Sequence, residues 1–333
     1  MKPRSVTLED VARAAGVSYQ TVSRVLNHSQ QVSGKTRQRV EAAMQALNYV
    51  PNRVAQQLAG KNTRTLGLAT SDLALLQIAS AIQQRASQLD YHLVIAMAGS
   101  GGARQAVSDL LAQRVDALII NIPLDASAAS QIEQMAGSLP CIFLDVAEDA
   151  AVAICSFSAQ TGARQGAEHL LQLGHRRIAL LNGPADSVAA QARSRAWLAV
   201  LKERDLAPSQ QLSGDWSAES GYRAVMQLDD AARSTALLVA NDQMALGAMQ
   251  ALHQLGVAVP AGMSVVGYDD TADSAWYQPP LTTVRQNMRQ LGECSVNWLV
   301  AKLENPTACE ALTPFATTLV VRASTRQAPE QQA

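Results

Sequence analysis

The chain has 333 residues, 48% of them hydrophobic and 17% charged, a composition that excludes a disordered protein and allows two or three domains with separate cores. The formal charge of −1 hides an asymmetry, because residues 1–61 carry nine Lys or Arg against three Asp or Glu, a net charge of +6, and leave −7 for the remainder. A basic head on an acidic body predicts that the head meets a polyanion and that the body meets something else.

The absence of targeting signals predicts where the protein works. The amino terminus has no apolar signal-peptide run, and the longest apolar stretches are far shorter than the ~20 residues that span a bilayer, so we expect a cytoplasmic protein without a membrane segment. The cysteines are widely spaced and form no CxxC pair: Cys141, Cys155, Cys294 and Cys309. This spacing predicts buried thiols in a reducing compartment, and neither a zinc site nor a disulfide framework. We expect no metal and no cofactor.

Three short helices are predicted in the basic head. Thr7 begins the first helix with Asp10 three residues later, the spacing of a capping box, and Gly16 ends it. Ser18 and Ser33 are candidate caps for the second and third helices. Both of these helices have an apolar inner face, formed by Val22, Val25 and Leu26 and by Val40, Met44 and Leu47. Small and turn-forming residues at this spacing are typical of a helix-turn-helix, although the pattern alone is also met in two helices that simply pack together.

The second helix is the candidate reader of double-stranded DNA. If it lies in the major groove, its outward-facing side chains at Tyr19, Gln20 and Arg24 reach the base edges. Gln can form two hydrogen bonds with adenine, Arg can do so with guanine, and the Tyr ring suits thymine methyl groups. The remaining polar side chains of the helix are expected to hold phosphates: Ser18, Thr21, Ser23 and Asn27.

A short helix can be predicted between the head and the acidic body. Asn52 can cap it and Gly60 can end it, and Arg53 adds a positive charge. A helix of two turns is marginal in water and needs a partner. The same helix of a second subunit could be that partner over the minor groove, with Leu58 wedged between base steps. Periodicity alone favours a flexible linker.

Several motifs give the sequence a clear resemblance to the LacI/GalR family, over residues 1 to about 325. They are GVSYQTVSRV at 16–25, NYVPNRVAQQLAGK at 48–61, VANDQMALGAM at 239–249 and SVVGYDD at 264–270. The resemblance favours the hinge helix over the linker. It implies a helix-turn-helix head at 1–50, a hinge helix and linker at 51–62, a periplasmic-binding-protein-like core at 63–325 that binds a ligand and dimerises, and a short tail at 326–333.

Strand-like apolar runs alternate with helical patterns through the acidic body, which predicts an α/β fold. The runs lie at 66–69, 92–95, 117–120, 141–144, 178–181, 236–239 and 264–267. Their continuous apolarity is typical of parallel strands covered by helices on both faces. Because about 270 residues exceed one such sheet, we expect two α/β subdomains.

Polar residues at the ends of these strands form a candidate ligand site. Asp145, Asn241 and Asp269 each follow an apolar run, and ligands bind at the carboxyl ends of parallel strands. Each residue alone could equally be a loop cap or half of a surface ion pair. The family resemblance implies that these three and Arg193 bind sugar hydroxyls in lac-type members. It also implies an aromatic and apolar wall of Trp216, Phe157, Leu75 and Ile78, with Met288 where lac-type members carry Phe.

The resemblance implies a function as well. We expect a repressor of a lac-type operon that binds operator DNA as a homodimer and is released by a galactoside inducer. A member that responds to another sugar or to a purine is the alternative. The sequence lacks GxSxG, HExxH and P-loop motifs, so an enzyme is not expected. It ends without the leucine-heptad tail that makes tetramers, which predicts a dimer.

Overall fold

The structure is a computed structural model that describes residues 6–26, 32–49, 63–71, 76–228, 234–307 and 312–329. The chain separates into two compact units, Met1–Thr63 and Arg64–Ala333. The predictions for the hinge at 51–62 and for four site residues lie outside the described residues: Asn27, Arg53, Leu58 and Leu75. The two units are considered in turn.

The first unit contains the three predicted helices, α1 (Leu8–Ala15), α2 (Tyr19–Leu26) and α3 (Gly34–Ala46). The Thr7–Asp10 capping box forms as predicted, and Ser33 caps α3 by accepting a hydrogen bond from the N–H of Thr36 at 3.3 Å. Gly16 ends α1 at φ 61°, a left-handed conformation that glycine adopts without strain. The inner face is built on the fully buried side chains Val11, Val22 and Val40.

The second unit begins with alternating strands and helices. They are β1 (Thr65–Thr70), α4 (Leu76–Gln88), β2 (His92–Met97), α5 (Gly102–Ala112), β3 (Ala117–Asn121), α6 (Ala126–Ala136) and β4 (Cys141–Phe143). The strands form a parallel sheet in the order β2-β1-β3-β4, with Leu66 opposite Leu93 and Ala117. All of β1 is buried, as expected of a central strand covered on both faces.

A second sheet follows along the chain. Its elements are α7 (Ala159–Gln172), β5 (Ile178–Asn182), α8 (Val188–Lys202), β6 (Gln211–Ser213), α9 (Ala218–Met226), β7 (Ala236–Val239), α10 (Asp242–Gln254), β8 (Ser264–Asp269), a 3₁₀ turn (Ser274–Trp276) and β9 (Thr282–Arg285). Then α11 (Met288–Glu304) packs on α4 and β3 of the first sheet, and β10 (Thr318–Val320) joins the second. The strand order is β10-β9-β8-β7-β5-β6, parallel except for β10.

The prediction of two α/β subdomains is therefore confirmed. Every apolar run proposed as a strand is one, whereas β6, β9 and β10 were not predicted. Because the chain passes between the two sheets before α7, before α11 and again before β10, the subdomains are joined by several connections. The carboxyl ends of strands from both sheets border one cavity.

Candidate functional site

The head presents its candidate DNA-reading residues on α2. Tyr19 is 54% exposed, and Gln20 and Arg24 are also exposed, while Val22 and Val25 of the same helix are buried. Ser18 accepts a hydrogen bond from the N–H of Thr21 at 3.2 Å, so it begins the helix as predicted. Thr21 and Ser23 are half-buried. The helix thus turns three long polar side chains outward from a rigid apolar inner face.

A side chain of the third helix, α3, binds the turn that precedes α2. One guanidinium nitrogen of Arg39 donates to the carbonyl oxygens of Ala15 and Gly16, at 2.6 and 3.2 Å. A side chain at position 16 would meet the same guanidinium group at 2.9 Å. Glycine is therefore favoured here mainly by its φ angle, because the guanidinium group is the far end of a flexible side chain and can shift.

The core contains a cavity of about 730 Å³ between its two subdomains. Five of the predicted ligand-site residues line it: Ile78, Asp145, Phe157, Arg193 and Met288. Ile78 and Met288 are buried, Asp145 follows β4, and Arg193 lies on α8 of the other subdomain. Both faces of the cavity thus contribute a charged side chain. This size suits a small organic molecule.

Arg193 is buried at the centre of a polar cluster. It donates to the carbonyl oxygen of Ala240 and, at 3.4 Å, to Oε1 of Gln286, and its Nη2 lies 3.5 Å from Oδ1 of Asp269. Within the described part of the chain, Nε of Arg193 and Oδ1 of Asp269 have no hydrogen-bond partner. Buried polar atoms usually find partners, so this cluster retains the capacity to bind polar groups of a ligand.

Burial also perturbs the acidic member of this cluster. It raises the pKa of Asp269 from 3.8 to about 7, an effect that Arg193 opposes and nearby Asp242 reinforces. Asp269 also has φ 116°, a conformation that a residue other than glycine adopts only when its surroundings impose it. Burial thus favours the protonated, uncharged form of the Asp269 carboxyl group.

Three more of the predicted ligand-site residues, Trp216, Asn241 and Asp269, lie beside Arg193 but do not line the cavity. The Arg193 guanidinium stacks between aromatic rings, 5.6 Å from the Trp216 centroid and 3.8 Å from that of Tyr268. The side-chain amide of Asn241 bonds to two backbone groups: Nδ2 donates to the Trp216 carbonyl at 3.0 Å, and Oδ1 accepts from the Met244 N–H at 2.8 Å. The rings of Trp216 and Tyr268 thus position Arg193, and Asn241 holds the backbone of Trp216.

The sequence did not predict several residues of this site. Gln286 lines the cavity next to Arg193 but follows β9, whose sequence Thr-Thr-Val-Arg has no apolar run to mark it as a strand. Tyr268 was overlooked because its position inside a strand is typical of a core residue. The cavity mouth is lined by charged side chains that carried no motif: Asp125, Glu148, Asp149, Asp186 and Arg195.

The remaining predictions concern thiols, metals and membranes. Cys141 and Cys155 are buried free thiols, but Cys294 is half-buried, so the prediction of buried cysteines was wrong for that residue. Cys309 lies outside the described residues. Across the described ranges, no group of three or more His, Cys, Asp or Glu side chains could hold a metal ion. In the same ranges, no helix is both long and apolar enough to cross a membrane.

Comparison with known proteins supports the description of the head and that of the core. Residues 7–52 match the model of bacterial regulatory proteins of the lacI family, and residues 167–325 match a periplasmic binding protein-like domain. The chain is 52% identical over 307 residues to the lactose operon repressor of Escherichia coli strain K12, covering 90% of this chain and 85% of that one. It is 42% identical to the lactose operon repressor of Klebsiella pneumoniae, over 92% of this chain and 88% of that one.

A solved structure agrees with the fold over nearly the full length. The lac repressor dimer bound to operator and the anti-inducer ONPF matches with a TM-score of 0.88 and 49% identity, covering 97% of this chain and 100% of that chain. These similarities extend through the head and the core. The chain therefore belongs to the lacI family of bacterial regulatory proteins, and it is a DNA-binding transcriptional repressor and not an enzyme.

Proposed function

We propose that this chain represses a lac-type operon and leaves its operator when a galactoside occupies the core cavity. The observation that carries the proposal is the buried Arg193–Asp269 pair, of which Arg193 lines the cavity. Among the described residues, Nε of Arg193 and Oδ1 of Asp269 have no hydrogen-bond partner. A sugar hydroxyl both donates and accepts, so it can satisfy a guanidinium and a carboxylate together. Asp145 on the opposite face adds a second acceptor.

The apolar part of the cavity suits the carbon skeleton of a sugar ring or its aglycone. Phe157, Met288 and Ile78 line one side, and Phe157 is braced by Phe315 with ring centroids 5.9 Å apart. Methionine is more flexible than an aromatic ring at the same position. We therefore assign Met288 to the aglycone side, where it widens the range of substituents accepted.

In the head, we propose that Tyr19, Gln20 and Arg24 read base edges and that Ser18, Thr21, Ser23 and Asn27 contact phosphates. The exposed face of α2 and the net charge of +6 over residues 1–61 support this assignment. The hinge roles of Arg53 and Leu58, and the apolar contact of Leu75, stay predictions. So do the domain boundaries at residues 50, 62 and 325, and the location in the cytoplasm.

Ligand titration tests the proposal directly. Purified protein is titrated with galactosides, other sugars and purines, and each ligand is then added to a complex with a lac-type operator in a gel-shift assay. We expect galactosides to bind and to release the DNA. A purine or a different sugar that releases the operator at lower concentration than every galactoside would establish the alternative function.

The fluorescence of Trp216 gives a site-specific signal for this titration, because its ring lies against the Arg193 guanidinium. A matched variant, Trp216→Phe, keeps an aromatic ring but removes that emission. The ligand-dependent change should disappear in this variant while gel-shift release persists. A change that survives unaltered would come from another tryptophan.

Exposed apolar side chains on the core support a homodimer. Ile95 and Met97 are 42% and 47% exposed on β2, Leu246 is 41% exposed on α10, and Trp276 is 83% exposed in the 3₁₀ turn. Apolar side chains that form a continuous surface patch mark interaction sites, and the similar lac repressor structure is a dimer. We assign these side chains to contact with a second copy of the chain.

Sedimentation of Trp276→Ser against Trp276→Phe tests this assignment. The Ser variant should dissociate to monomers at a higher protein concentration than the wild type, and the Phe variant should behave like the wild type. A stable tetramer of the wild-type protein without DNA would contradict the dimer.

The two sites are coupled in the proposed mechanism. A ligand that prefers the core state with lower DNA affinity weakens DNA binding by the same factor that DNA weakens ligand binding. Ligand affinity is therefore measured with and without saturating operator. An unchanged affinity would rule out the coupling.

A further inference from the structure

Two cysteines that are far apart in sequence lie in the same apolar cluster as several residues that line the cavity. Cys155 lies after β4, and its N–H donates to the carbonyl oxygen of Phe143 at 2.9 Å. Cys294 lies on α11. Both side chains belong to one apolar cluster of the first subdomain, where Cys155 is buried and Cys294 is half-buried.

The geometry places the two cysteines at one turn of α11. Sγ of Cys155 lies 4.0 Å from the carbonyl oxygen of Leu291, three residues before Cys294. A helical side chain covers the turn that precedes its own Cα, so the Cys294 thiol leans toward the same carbonyl. Both cysteines therefore face the Leu291 turn of α11, and Cys294 contributes to the rise in the pKa of the Cys155 thiol.

We propose that Cys155 and Cys294 form a reversible disulfide that fastens one part of the cavity wall to another. Phe157, two residues after Cys155, lines the cavity, as do Met288 and Leu291 of α11. A covalent link between the two segments limits how far they can separate when a ligand enters. Oxidation would therefore change the ligand affinity of the core.

Thiol–disulfide exchange with a low-molecular-weight disulfide supplies the chemistry. Burial raises the pKa of Cys155 to about 12, which keeps it a protonated, weakly reactive thiol at neutral pH. The more exposed Cys294 therefore attacks first: its thiolate bonds to one sulfur of the small disulfide and expels the other as a thiolate. Cys155 then loses its proton and attacks the Cys294 sulfur, which expels the second small thiolate. Two protein thiols are oxidised, and one small disulfide is reduced to two thiols.

Mass spectrometry of the full-length protein tests for the bond. The protein is incubated with glutathione disulfide, its remaining thiols are blocked, and it is digested with trypsin without reduction. Cys141 and Cys155 lie on the same tryptic peptide, 115–164, so Cys141→Ser is used to make the assignment unique. We expect this peptide linked to 290–302, and its release by a dithiol reductant. Glutathione on Cys294 without the cross-link would overturn the proposal.

Ligand affinity is then measured for the oxidised and reduced forms. This readout rests on the proposed function, and we expect the affinity for a galactoside to fall by about fivefold or more on oxidation and to recover on reduction. Cys294→Ser should be insensitive to the oxidant, and Cys155→Ala tests the same point from the buried side. Cys141→Ser, in the other apolar cluster, should respond like the wild type.

The outcomes separate the two proposals. Reduced protein that binds no galactoside would contradict the proposed function, while the cross-linked peptide would still decide whether the disulfide forms. A cross-linked protein whose galactoside affinity equals that of the reduced form would refute the regulatory role.

Discussion

The head and the core place their functional side chains in opposite environments. In the head, Tyr19, Gln20 and Arg24 project from the exposed face of one short helix. In the core, Arg193 and Asp269 are buried, and their neighbours come from several strands and helices. The head is arranged to meet a large, charged partner with little rearrangement. The core is arranged to enclose a small one.

This difference has energetic consequences. Exposed side chains on a helix can be replaced with little effect on folding, so variants of Tyr19, Gln20 and Arg24 should report on DNA binding alone. Buried charged groups stabilise each other, so a change in one leaves the other unpaired in a medium of low polarity. Variants in the core cavity should therefore affect both stability and ligand response.

Arg193→Ala should have the largest effect. It leaves Asp269 without its cation, and we expect a loss of about 3 kcal/mol in the free energy of unfolding, at the low end for a broken buried pair because the carboxyl group can take up a proton. Ligand response should be abolished while operator binding persists. Denaturant unfolding and gel-shift release measure the two effects.

The double variant Arg193→Ala with Asp269→Asn is the control for the charge. It removes the unpaired carboxylate, so it should recover part of the lost stability without restoring the ligand response. If the single variant responds to ligand normally, Arg193 does not belong to the binding site.

Arg24→Ala should leave the core unchanged and weaken operator binding by about 1 to 3 kcal/mol, with relaxed preference at one base pair. Arg13→Ala, which removes an equally charged and exposed side chain from α1, is the matched control. That control should lose affinity by a smaller amount on every sequence. Uniform loss in the Arg24 variant would instead assign this residue to a phosphate.

The raised pKa of Asp269 predicts a pH dependence in the stability and ligand affinity of the core. Its folded value of about 7 lies above the ordinary 3.8, so the folded state binds the extra proton and its stability falls as the pH rises from about 4 to about 7. Ligand hydroxyls that donate to the carboxylate favour its ionised form. Affinity should therefore fall by up to about tenfold for each pH unit below 7.

Isothermal titration calorimetry in buffers of different ionisation enthalpy measures this effect, because binding below pH 7 should release a proton. In Asp269→Asn both the proton release and the pH dependence should vanish. Proton uptake by the wild-type protein would show that the ligand prefers the protonated acid.

The same contrast explains which features could be predicted from sequence. The helices of the head follow from local signals, such as the Thr7–Asp10 box and Gly16, and the buried strands follow from their apolar runs. Asp145, predicted from its position after a strand, and Arg193, implied by the family resemblance, both line the cavity. The companions of Arg193 were not predictable in this way.

These companions come together only in the tertiary structure. Gln286 follows a strand without an apolar run, and Tyr268 lies within one. Asp242 resembles an ordinary first-turn acid, yet it is fully buried and accepts hydrogen bonds from the Thr271 N–H at 2.9 Å and the Thr283 hydroxyl at 2.6 Å. No local pattern distinguishes a helix-capping acid from a buried one whose partners lie on other strands.

The smallest expected effect is a change at the amino-terminal cap of α1 that should destabilise the head and not the core. In Thr7→Ala, the Thr7 side chain no longer accepts from the Asp10 N–H, and half of the capping box is lost. We expect a cost of about 1 kcal/mol in the stability of the head, with Thr7→Ser close to wild type because it keeps the hydroxyl. Hydrogen exchange of α1 amides should quicken in the Ala variant, while exchange in β1 and β7 stays unchanged. Equal acceleration in the core strands would mean that the two units unfold together, and the contrast between an independently folding head and a self-supporting core would fail.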